Sequence, residues 1–518
     1  MCARYAIRSN KSITYTLPAP VKGLNKRDSI ADMNFAYAIT MDNYIPYDDK
    51  VILRNGYKKY ADFNGKVETL VVFNNGTQSE MLAVCRHQIW NVSSKSNVYF
   101  YNDVFVSENH CYTVQYKNYL YFMNGADIPL VYYIDNQGIH HLDNWNFSGE
   151  NLNPTSIVAG SVSKQRLWFI EKGTLRVWYA ETAGNISGRL QCFDLAQVSR
   201  FGGYLLAVAN WTQDGGQGID DLTVFITSEG EVLVYCGNDV GDADDWKLKG
   251  SYKINRPIGY NCSISYQGDL VIITQDGYIP LSSALPLDKA NSSQVAFSDN
   301  IRDLVAARAK IYASRIGWQV IIYQRGGYAL FNVPLNKGFE QHVINVNTGA
   351  WCRFTDINSC CWAEYDRRLY FGSDDGVYLF DEGHTDNGEP IIGEVVQAYA
   401  DFGSSNLKRV QLINPRTKSL YCYELTVYTN TDMQDQKCEY CEKIGQGGGV
   451  KWNTAKWSGD FPIGSKWVNS GCNELHSQWI GNSATGYKFS LVFKTSTSGN
   501  RVEWYETAIR YELGNGVL

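Results

Sequence analysis

The chain has 518 residues, 47 basic and 53 acidic side chains, and therefore a formal net charge of −6. This length predicts two or three domains. The net charge excludes a protein that is basic over its whole surface and binds nucleic acid in that way. No run of about 18 apolar residues predicts a membrane span, and 13 scattered cysteines favour reduced thiols in a protein made in a reducing cytoplasm.

Residues 1–48 are predicted to form an irregular N-terminal arm. Leu17-Pro-Ala-Pro20 disfavours a helix and a central strand, because proline has no N–H to donate. Between Asp28 and Asp42 we expect one short helical turn, capped by Asp28 or Ser29. The charged N-terminus is followed by no apolar segment, so we expect no secretory signal.

Residues 49–388 contain the most informative pattern, which is seven pairs of short apolar strands joined by tight polar turns. The pairs are Met81–Trp90, Tyr119–Tyr133, Leu167–Tyr179, Leu222–Tyr235, Leu270–Leu281, Val320–Phe331 and Leu369–Phe380. They recur every 48 residues on average, about the spacing of propeller blades. The sequence therefore predicts a β-propeller with six or seven blades.

The blade between Gly317 and Phe354 is the clearest, because Arg325-Gly-Gly327 and Asn347-Thr-Gly349 supply two hairpin turns. Just before it, Ser298–Ser314 has apolar residues at helical spacing and predicts one amphipathic helix, capped by Ser298 or Asp299. This helix is either a functional insertion or a shield for a blade edge.

Residues 389–518 have a different sequence pattern and are predicted to form a separate β-sandwich-like platform domain. Four strands are expected at Ile391–Phe402, Tyr421–Thr429, Tyr487–Lys494 and Trp504–Glu512. A long loop with Gln446-Gly-Gly-Gly449 and several tryptophans lies between the second and third of them.

Two segments are candidate metal sites. The acidic, glycine-rich loop 214–221 contains Asp214, Asp220 and Asp221, whose oxygens could bind a hard cation, although the spacing matches no known calcium loop. The alternative is a connecting loop in which aspartates cap turns. Cys438-Glu-Tyr-Cys441 is a C-x-x-C without a second pair, so a strand-end pair is favoured over zinc or redox chemistry.

No catalytic motif is present in the sequence. The seven histidines have no nucleophile motif such as G-x-S-x-G beside them, and His140 and His141 are predicted to lie at the surface. The turn Ser373-Asp-Asp-Gly376 does not match the repeated aspartate box of sialidase-like propellers. We therefore expect no enzyme, and we assign no catalytic, cofactor-binding or metal residue.

Several ordered motifs resemble tail proteins of short-tailed phages. They include Leu17–Asn25, Arg27–Met33, Asp42-Asn43, Arg54-Asn-Gly56, Asp214–Asp221, Gly268–Gly277, Asn332-Val-Pro334, Gln341–Asn345, Thr348–Trp351 and Leu369–Gly372. Taken together, these motifs are similar to tail tubular protein B, the nozzle protein, and to packaged-DNA stabilisation proteins.

The resemblance implies a structural virion protein located in the tail. It implies a homohexameric ring below a head-to-tail adaptor or connector, near tail fibres or spikes, with double-stranded DNA passing through without sequence-specific binding. It implies no cofactor and no active site. The alternatives are a receptor- or glycan-binding propeller of a fibre or spike, and a depolymerase.

Overall fold

The computed structural model describes residues 12–95, 99–100, 105–180, 188–214, 219–266, 268–284, 297–419, 423–434, 442–444 and 474–514. It is mainly β, with 56% of the described residues in strands. The chain divides into two compact units. The propeller unit comprises residues 59–342 and 356–380, and the platform unit comprises residues 1–58, 343–355 and 381–518. These bounds differ from the predicted boundaries at 48 and 388.

Four strands lie in residues 1–48, which were predicted to be mostly irregular, and a fifth follows them. The four are β1 Ile13–Pro18, β2 Gly23–Leu24, β3 Tyr37–Asp42 and β4 Tyr44–Pro46, and the fifth is β5 Val51–Leu53. The prediction of an irregular arm is wrong for the first four, because β1, β2 and β3 pair with strands distant in sequence and β4 pairs with β5. Pro18 is tolerated because it is the last residue of its strand.

Twenty-seven strands follow in the propeller. The first blades contain β6 Tyr57–Asp62, β7 Val67–Asn74, β8 Ser79–Cys85, β9 Gln88–Asn91, β10 Tyr99–Phe100, β11 Tyr112–Tyr116, β12 Tyr119–Met123, β13 Leu130–Ile134, β14 His140–Asn144, β15 Phe147–Gly149, β16 Ile157–Ser163, β17 Arg166–Glu171, β18 Arg176–Ala180 and β19 Gly188–Asp194. The later blades contain β20 Leu205–Asp214, β21 Ile219–Thr227, β22 Glu231–Cys236, β23 Lys247–Lys253, β24 Ser263–Tyr266, β25 Asp269–Thr274, β26 Gly277–Pro280, β27 Gln319–Tyr323, β28 Tyr328–Pro334, β29 Phe339–Asn345, β31 Cys361–Tyr365, β32 Arg368–Gly372 and β33 Gly376–Phe380. The strand β30 Trp351–Phe354 belongs to the platform unit.

Six sheets form a β-propeller arrangement, which confirms the predicted fold class. The sheets are β7–β10, β11–β14, β15–β19, β20–β23, β24–β26, and β31–β33 with β6. The meander β27–β29 occupies the place between the fifth and sixth of them. The first strands contact one another in turn, from β7 through β11, β16, β20, β24, β27 and β31 and back to β7, so they are innermost.

All seven predicted strand pairs are antiparallel hairpins in the structure. Six of them are the second and third strands of a blade. The pair Val320–Phe331 instead joins the first and second strands, β27 and β28. Hydrophobic clusters lie between neighbouring sheets. One of them packs Trp168 and Tyr179 of the third blade against Phe225 and Leu233 of the fourth.

The ring closes with a strand from the beginning of the unit, because β6 pairs beside β33. A Cβ on Gly376 would lie 2.4 Å from the carbonyl oxygen of Ala61, so only glycine allows β6 to approach this closely. Lys59 Nζ donates to Asp375 at 2.7 Å and to Asp62 at 2.8 Å. Closure therefore depends on backbone fit at Gly376 and on the charge partners of Lys59.

Two α-helices are described, α1 Leu281–Ala284 and α2 Arg302–Tyr312, and a short 3₁₀ turn leads into α2. The helix predicted at Ser298–Ser314 is therefore confirmed with slightly narrower bounds. Ser298 is not its cap, because its buried hydroxyl accepts a hydrogen bond from Tyr278 N at 2.8 Å. Val305 and Ala309 are buried, while Arg308 donates to Glu340.

The platform unit contains two sheets. Its later strands are β34 Ile391–Gln397, β35 Lys408–Ser419, β36 Tyr423–Thr431, β37 Glu442–Ile444, β38 Glu474–Ser477, β39 Ile480–Gly486, β40 Phe489–Thr497 and β41 Glu503–Leu513. One sheet contains β1, β4, β5, β35, β38, β39 and β41, and the other contains β30, β2, β3, β34, β40, β36 and β37. Phe493 and Trp504 stack between the sheets with ring centroids 4.3 Å apart. The N-terminal strands thus complete this sandwich.

Candidate functional site

Blade topology gathers two kinds of loop at one end of the propeller. Successive strands of a blade are antiparallel, so the turn from the second to the third strand lies opposite the turn from the first to the second. The linker into each new blade lies at the same end as the second-to-third turn. This end, which we call the cavity end, contains Tyr204, Arg256 and Tyr260 in linkers and Lys172 and Gln275 in turns.

A cavity of about 700 Å³ opens among these loops, and we call it the axial cavity. Two smaller cavities, of about 190 and 260 Å³, lie along the innermost strands. The wall of the axial cavity combines aromatic rings with amides and charged groups. The residues on which the later argument depends are Tyr112, Tyr204, Tyr260, Trp318, Asn261 and Gln275.

The aromatic rings of this wall form one contiguous group. Tyr112 and Tyr260 meet edge to face at 5.3 Å between centroids, Tyr204 lies 6.5 Å from Tyr260, and His110 lies 4.8 Å from Tyr112. Burial raises the pKa of Tyr260 to about 12 and lowers the pKa of His110. At neutral pH this group therefore presents uncharged rings.

The three cationic side chains of the wall each have a partner. Arg256 pairs with Glu229 at 2.8 Å, and Lys172 Nζ donates to the carbonyl oxygen of Gly125 at 3.2 Å. Arg315 donates to the carbonyl oxygen of Leu335 at 2.5 Å. Cations and anions are both present, so the wall has no strong excess of either sign.

The acidic loop 214–221 lies away from the axial cavity. Asp214 pairs with Ile219 at the tip of the β20–β21 hairpin, which is a first-to-second turn and therefore belongs to the opposite end. Asp221 accepts a hydrogen bond from Thr212 Oγ1 at 2.9 Å. Residues 215–218 lie outside the described residues. Cation binding by this loop stays a prediction.

The other sequence candidates are placed as follows. Cys438, Cys441 and the tryptophans 452, 457 and 467 lie outside the described residues. His140 and His141 are half-buried. His140 Nδ1 lies 2.7 Å from the Tyr132 hydroxyl, and His141 Nε2 lies 3.0 Å from Asp135. In the described part of the chain no group of three or more His, Cys, Asp and Glu side chains could hold a metal ion. No helix there is long and apolar enough to cross a membrane.

Sequence reasoning missed a buried cluster in the platform unit, which we call the motif cluster: Asp42, Asn43, Arg54, Asn55, Gly56, Arg353 and Asp386. Arg54 is 2% exposed, and its two terminal nitrogens donate to the Asp386 carboxylate at 2.8 and 2.6 Å. Arg54 Nε donates to Asn43 Oδ1 at 2.8 Å, and carbonyl oxygens of Asn55 and Thr355 accept its remaining N–H groups. All five guanidinium N–H groups are satisfied.

The rest of the motif cluster is equally well ordered. Arg353 donates to both oxygens of Asp42, at 2.8 and 2.7 Å. Asn43, fully buried, also donates to the carbonyl oxygen of Ile392 at 2.7 Å. A Cβ on Gly56 would lie 1.9 Å from the carbonyl oxygen of Thr385. These short polar motifs in the sequence are therefore structural.

The propeller unit contains a comparable buried network. Asn332 Oδ1 accepts from Gln341 Nε2 at 3.0 Å, from Ser359 Oγ at 2.8 Å and from Trp362 Nε1 at 3.1 Å. Next to it, His342 Nε2 lies 3.2 Å from Glu340 Oε1, and the Tyr278 hydroxyl lies 2.8 Å from His342 Nδ1. Arg308 of α2 donates to both oxygens of Glu340. Burial alone would raise the pKa of Glu340, but hydrogen bonds from His342 and Arg308 outweigh it and hold the pKa well below its usual range.

No family model matches the sequence, and no curated protein is similar to it. A protein of Bacteroides fragilis NCTC 9343, provisionally assigned as a 6-phosphogluconolactonase, is 11% identical over 65% of this chain and 90% of its own, with a TM-score of 0.35. A streptogramin B lyase is 11% identical over 61% of this chain and 95% of its own, with a TM-score of 0.37.

A third structure, from Bacteroides uniformis ATCC 8492 and with the same provisional assignment as the first, is 10% identical over 63% of this chain and 90% of its own, with a TM-score of 0.34. At these identities and scores the similarities carry no argument about activity.

Proposed function

We propose that this chain is a structural virion protein, the tail nozzle or hub of a short-tailed phage. In this proposal six copies form a ring that meets a head-to-tail adaptor and channels, retains and releases genomic DNA during ejection. Tail fibres or spikes are further partners, and the chain acts as a scaffold.

The supporting observation is the position of the motifs that resemble nozzle proteins. Asp42-Asn43 and Arg54-Asn-Gly56 come together in one buried cluster, although each motif alone is short. Chance similarities would be scattered over the fold. Convergence on one cluster of satisfied polar groups instead indicates that these residues define a structural core, because a buried charge is tolerated only with its partners in place.

Residues of two later motifs also take part in buried hydrogen bonds. Asn332, from Asn332-Val-Pro334, and Gln341, from Gln341–Asn345, are hydrogen-bonded to each other inside the propeller unit. Asn345 donates to the carbonyl oxygen of Pro46 at 2.8 Å within the platform unit. These three residues therefore maintain internal geometry, as expected for a protein whose task is to build a conduit.

The platform unit also has side chains suited to assembly. Seven large apolar residues in the described part of this unit are exposed: Ile13, Ile30, Ile392, Met433, Leu475, Trp479 and Tyr487. Rings bury heterologous interfaces between copies, and exposed apolar groups supply their contact area. We expect some of these side chains to become buried when the ring forms.

Assembly is tested by sedimentation velocity on the purified chain, alone and mixed with the connector from the same virion, together with negative-stain images. We expect six-fold rings, and a lower ring fraction for Leu475→Asp. Ile139→Asp, which changes an equally apolar exposed residue of the propeller unit, is the matched control. A chain that stays monomeric in both samples contradicts the proposal.

The charge of the channel gives a second readout on the same rings. A strongly basic lumen would bind DNA phosphates and slow a moving duplex, so we expect a lining that is neutral or acidic on balance. A cryo-EM map of the ring with a continuous lining of lysine and arginine would overturn this part of the proposal.

A further inference from the structure

The axial cavity has the size and wall chemistry of a ligand site. Its volume of about 700 Å³ falls in the range of pockets that bind small molecules, roughly 300–1,000 Å³. Its wall is assembled from loops of several blades, each held at its base by strand pairing. A site on such a frame is already formed before a ligand arrives.

Tyr204 is the most accessible ring of the wall, with 39% of its surface exposed. Its backbone is fixed from both sides, because Tyr204 N donates to Ser228 Oγ at 3.0 Å and Ser228 N donates to the carbonyl oxygen of Tyr204 at 2.8 Å. The ring of Tyr260 continues this surface. The cavity thus offers a pre-positioned aromatic platform.

Hydrogen-bonding groups accompany the rings. The exposed side-chain amides of Asn261 and Gln275 line the cavity, and neither has a hydrogen-bond partner among the residues that the structure describes. An amide both donates and accepts, as a sugar hydroxyl does. The wall therefore matches a ligand with apolar C–H faces and many hydroxyl groups.

The charges of the wall argue for an uncharged ligand. Arg256 is paired with Glu229, and Lys172 and Arg315 donate to backbone carbonyls. A carboxylate or phosphate ligand would have to compete with these partners and would also meet Glu108 and Glu229. A neutral ligand would not have to compete with these partners and would not be repelled by the two carboxylates.

We propose that the axial cavity is a binding site for a short neutral oligosaccharide, a di- or trisaccharide unit, with one sugar ring stacked on Tyr204 and its hydroxyls bonded by Asn261 and Gln275. This site goes beyond the proposed function. It concerns the propeller unit alone, and ring assembly and saccharide binding can each fail without the other.

Saturation-transfer NMR and calorimetry on the full chain test the site. The probes are neutral trisaccharides of glucose, mannose and N-acetylglucosamine, and a trisaccharide of uronic acid as the anionic comparison. We expect at least one neutral probe to bind. We expect Tyr204→Ala to weaken that binding at least about tenfold, and Tyr204→Phe to retain most of it, because the ring face carries the contact.

Tyr487→Ala removes an exposed tyrosine of the platform unit and should leave binding unchanged. Gln275→Ala is the second variant, since it lies in a turn and keeps its backbone bond to Arg256; it should weaken binding even if Tyr204→Ala does not fold. The proposal is overturned if no neutral probe binds at millimolar concentration, if only the uronic acid probe binds, or if Tyr204→Ala and Gln275→Ala bind as the native chain does.

Discussion

Asp386→Asn should destabilise the platform unit strongly, because it leaves the guanidinium of Arg54 buried without its carboxylate. Two hydrogen bonds of 2.8 and 2.6 Å to ionised oxygens are replaced by at most one to a neutral amide oxygen, and the amide NH₂ faces N–H donors. Removing one member of a buried ion pair costs about 3–5 kcal/mol. With a urea dependence of about 2 kcal/mol per molar, the unfolding midpoint should fall by about 1.5–2.5 M.

The matched control is Glu506→Gln in the same unit. Arg416 pairs with Glu506 at the surface, where 48% and 33% of the two side chains are exposed. An exposed pair contributes about 0–1 kcal/mol, so this midpoint should hardly move. Urea unfolding is followed by hydrogen exchange of platform peptides, since two units need not unfold together. Equal midpoint shifts for the two variants would refute the reasoning, whereas recovery in the double variant Arg54→Met with Asp386→Leu would support it.

Two further predictions concern the propeller unit. Glu340→Gln should lower its unfolding free energy by about 3 kcal/mol at pH 7. Because the folded-state pKa of Glu340 lies below its usual value of about 4.3, this difference should persist down to about pH 5 and shrink as the pH falls further; urea midpoints from pH 7 to 3 measure it, and a difference that grows toward acid contradicts it. Gly376→Ala should displace β6 and cost about 1–3 kcal/mol, because the new methyl would lie 2.4 Å from the Ala61 carbonyl oxygen. Limited proteolysis should then cut near residues 59–62, while Gly481→Ala, whose Cβ meets nothing within 4 Å, should behave as the native chain.

The hairpins and the helix could be predicted because their information is local. In β8 and β9 two apolar runs are joined by a tight turn, and every other predicted pair is joined by a short loop, so the partner strand is the next one along the chain. In helix α2 the apolar residues recur at helical spacing within eleven residues. The turn at Arg325-Gly-Gly327 also formed as expected, with Gly327 at φ 69°.

The candidate site could not be predicted from the sequence in the same way. Tyr204 lies in the linker into the fourth blade, whereas Tyr260 and Gln275 lie in the linker and a turn of the fifth, and nothing near Tyr204 in sequence indicates the other two. What brings them together is the closure of the ring, which places the linkers and alternate turns of successive blades at one end. The acidic loop 214–221 stood out by composition, yet topology places it at the other end.

By itself, the sequence determined that this protein is built from repeated antiparallel hairpins, because alternation of apolar residues and turn chemistry act over a few residues. Only the tertiary structure decided which distant segments complete each unit: β6 beside β33, β1 along β41, and Arg54 against Asp386, 332 residues away. The residues around an edge strand or a buried charge do not indicate where in the chain its partner lies. That choice follows from the free energy of the whole fold, in which each exposed edge and each unpaired charge must find a partner.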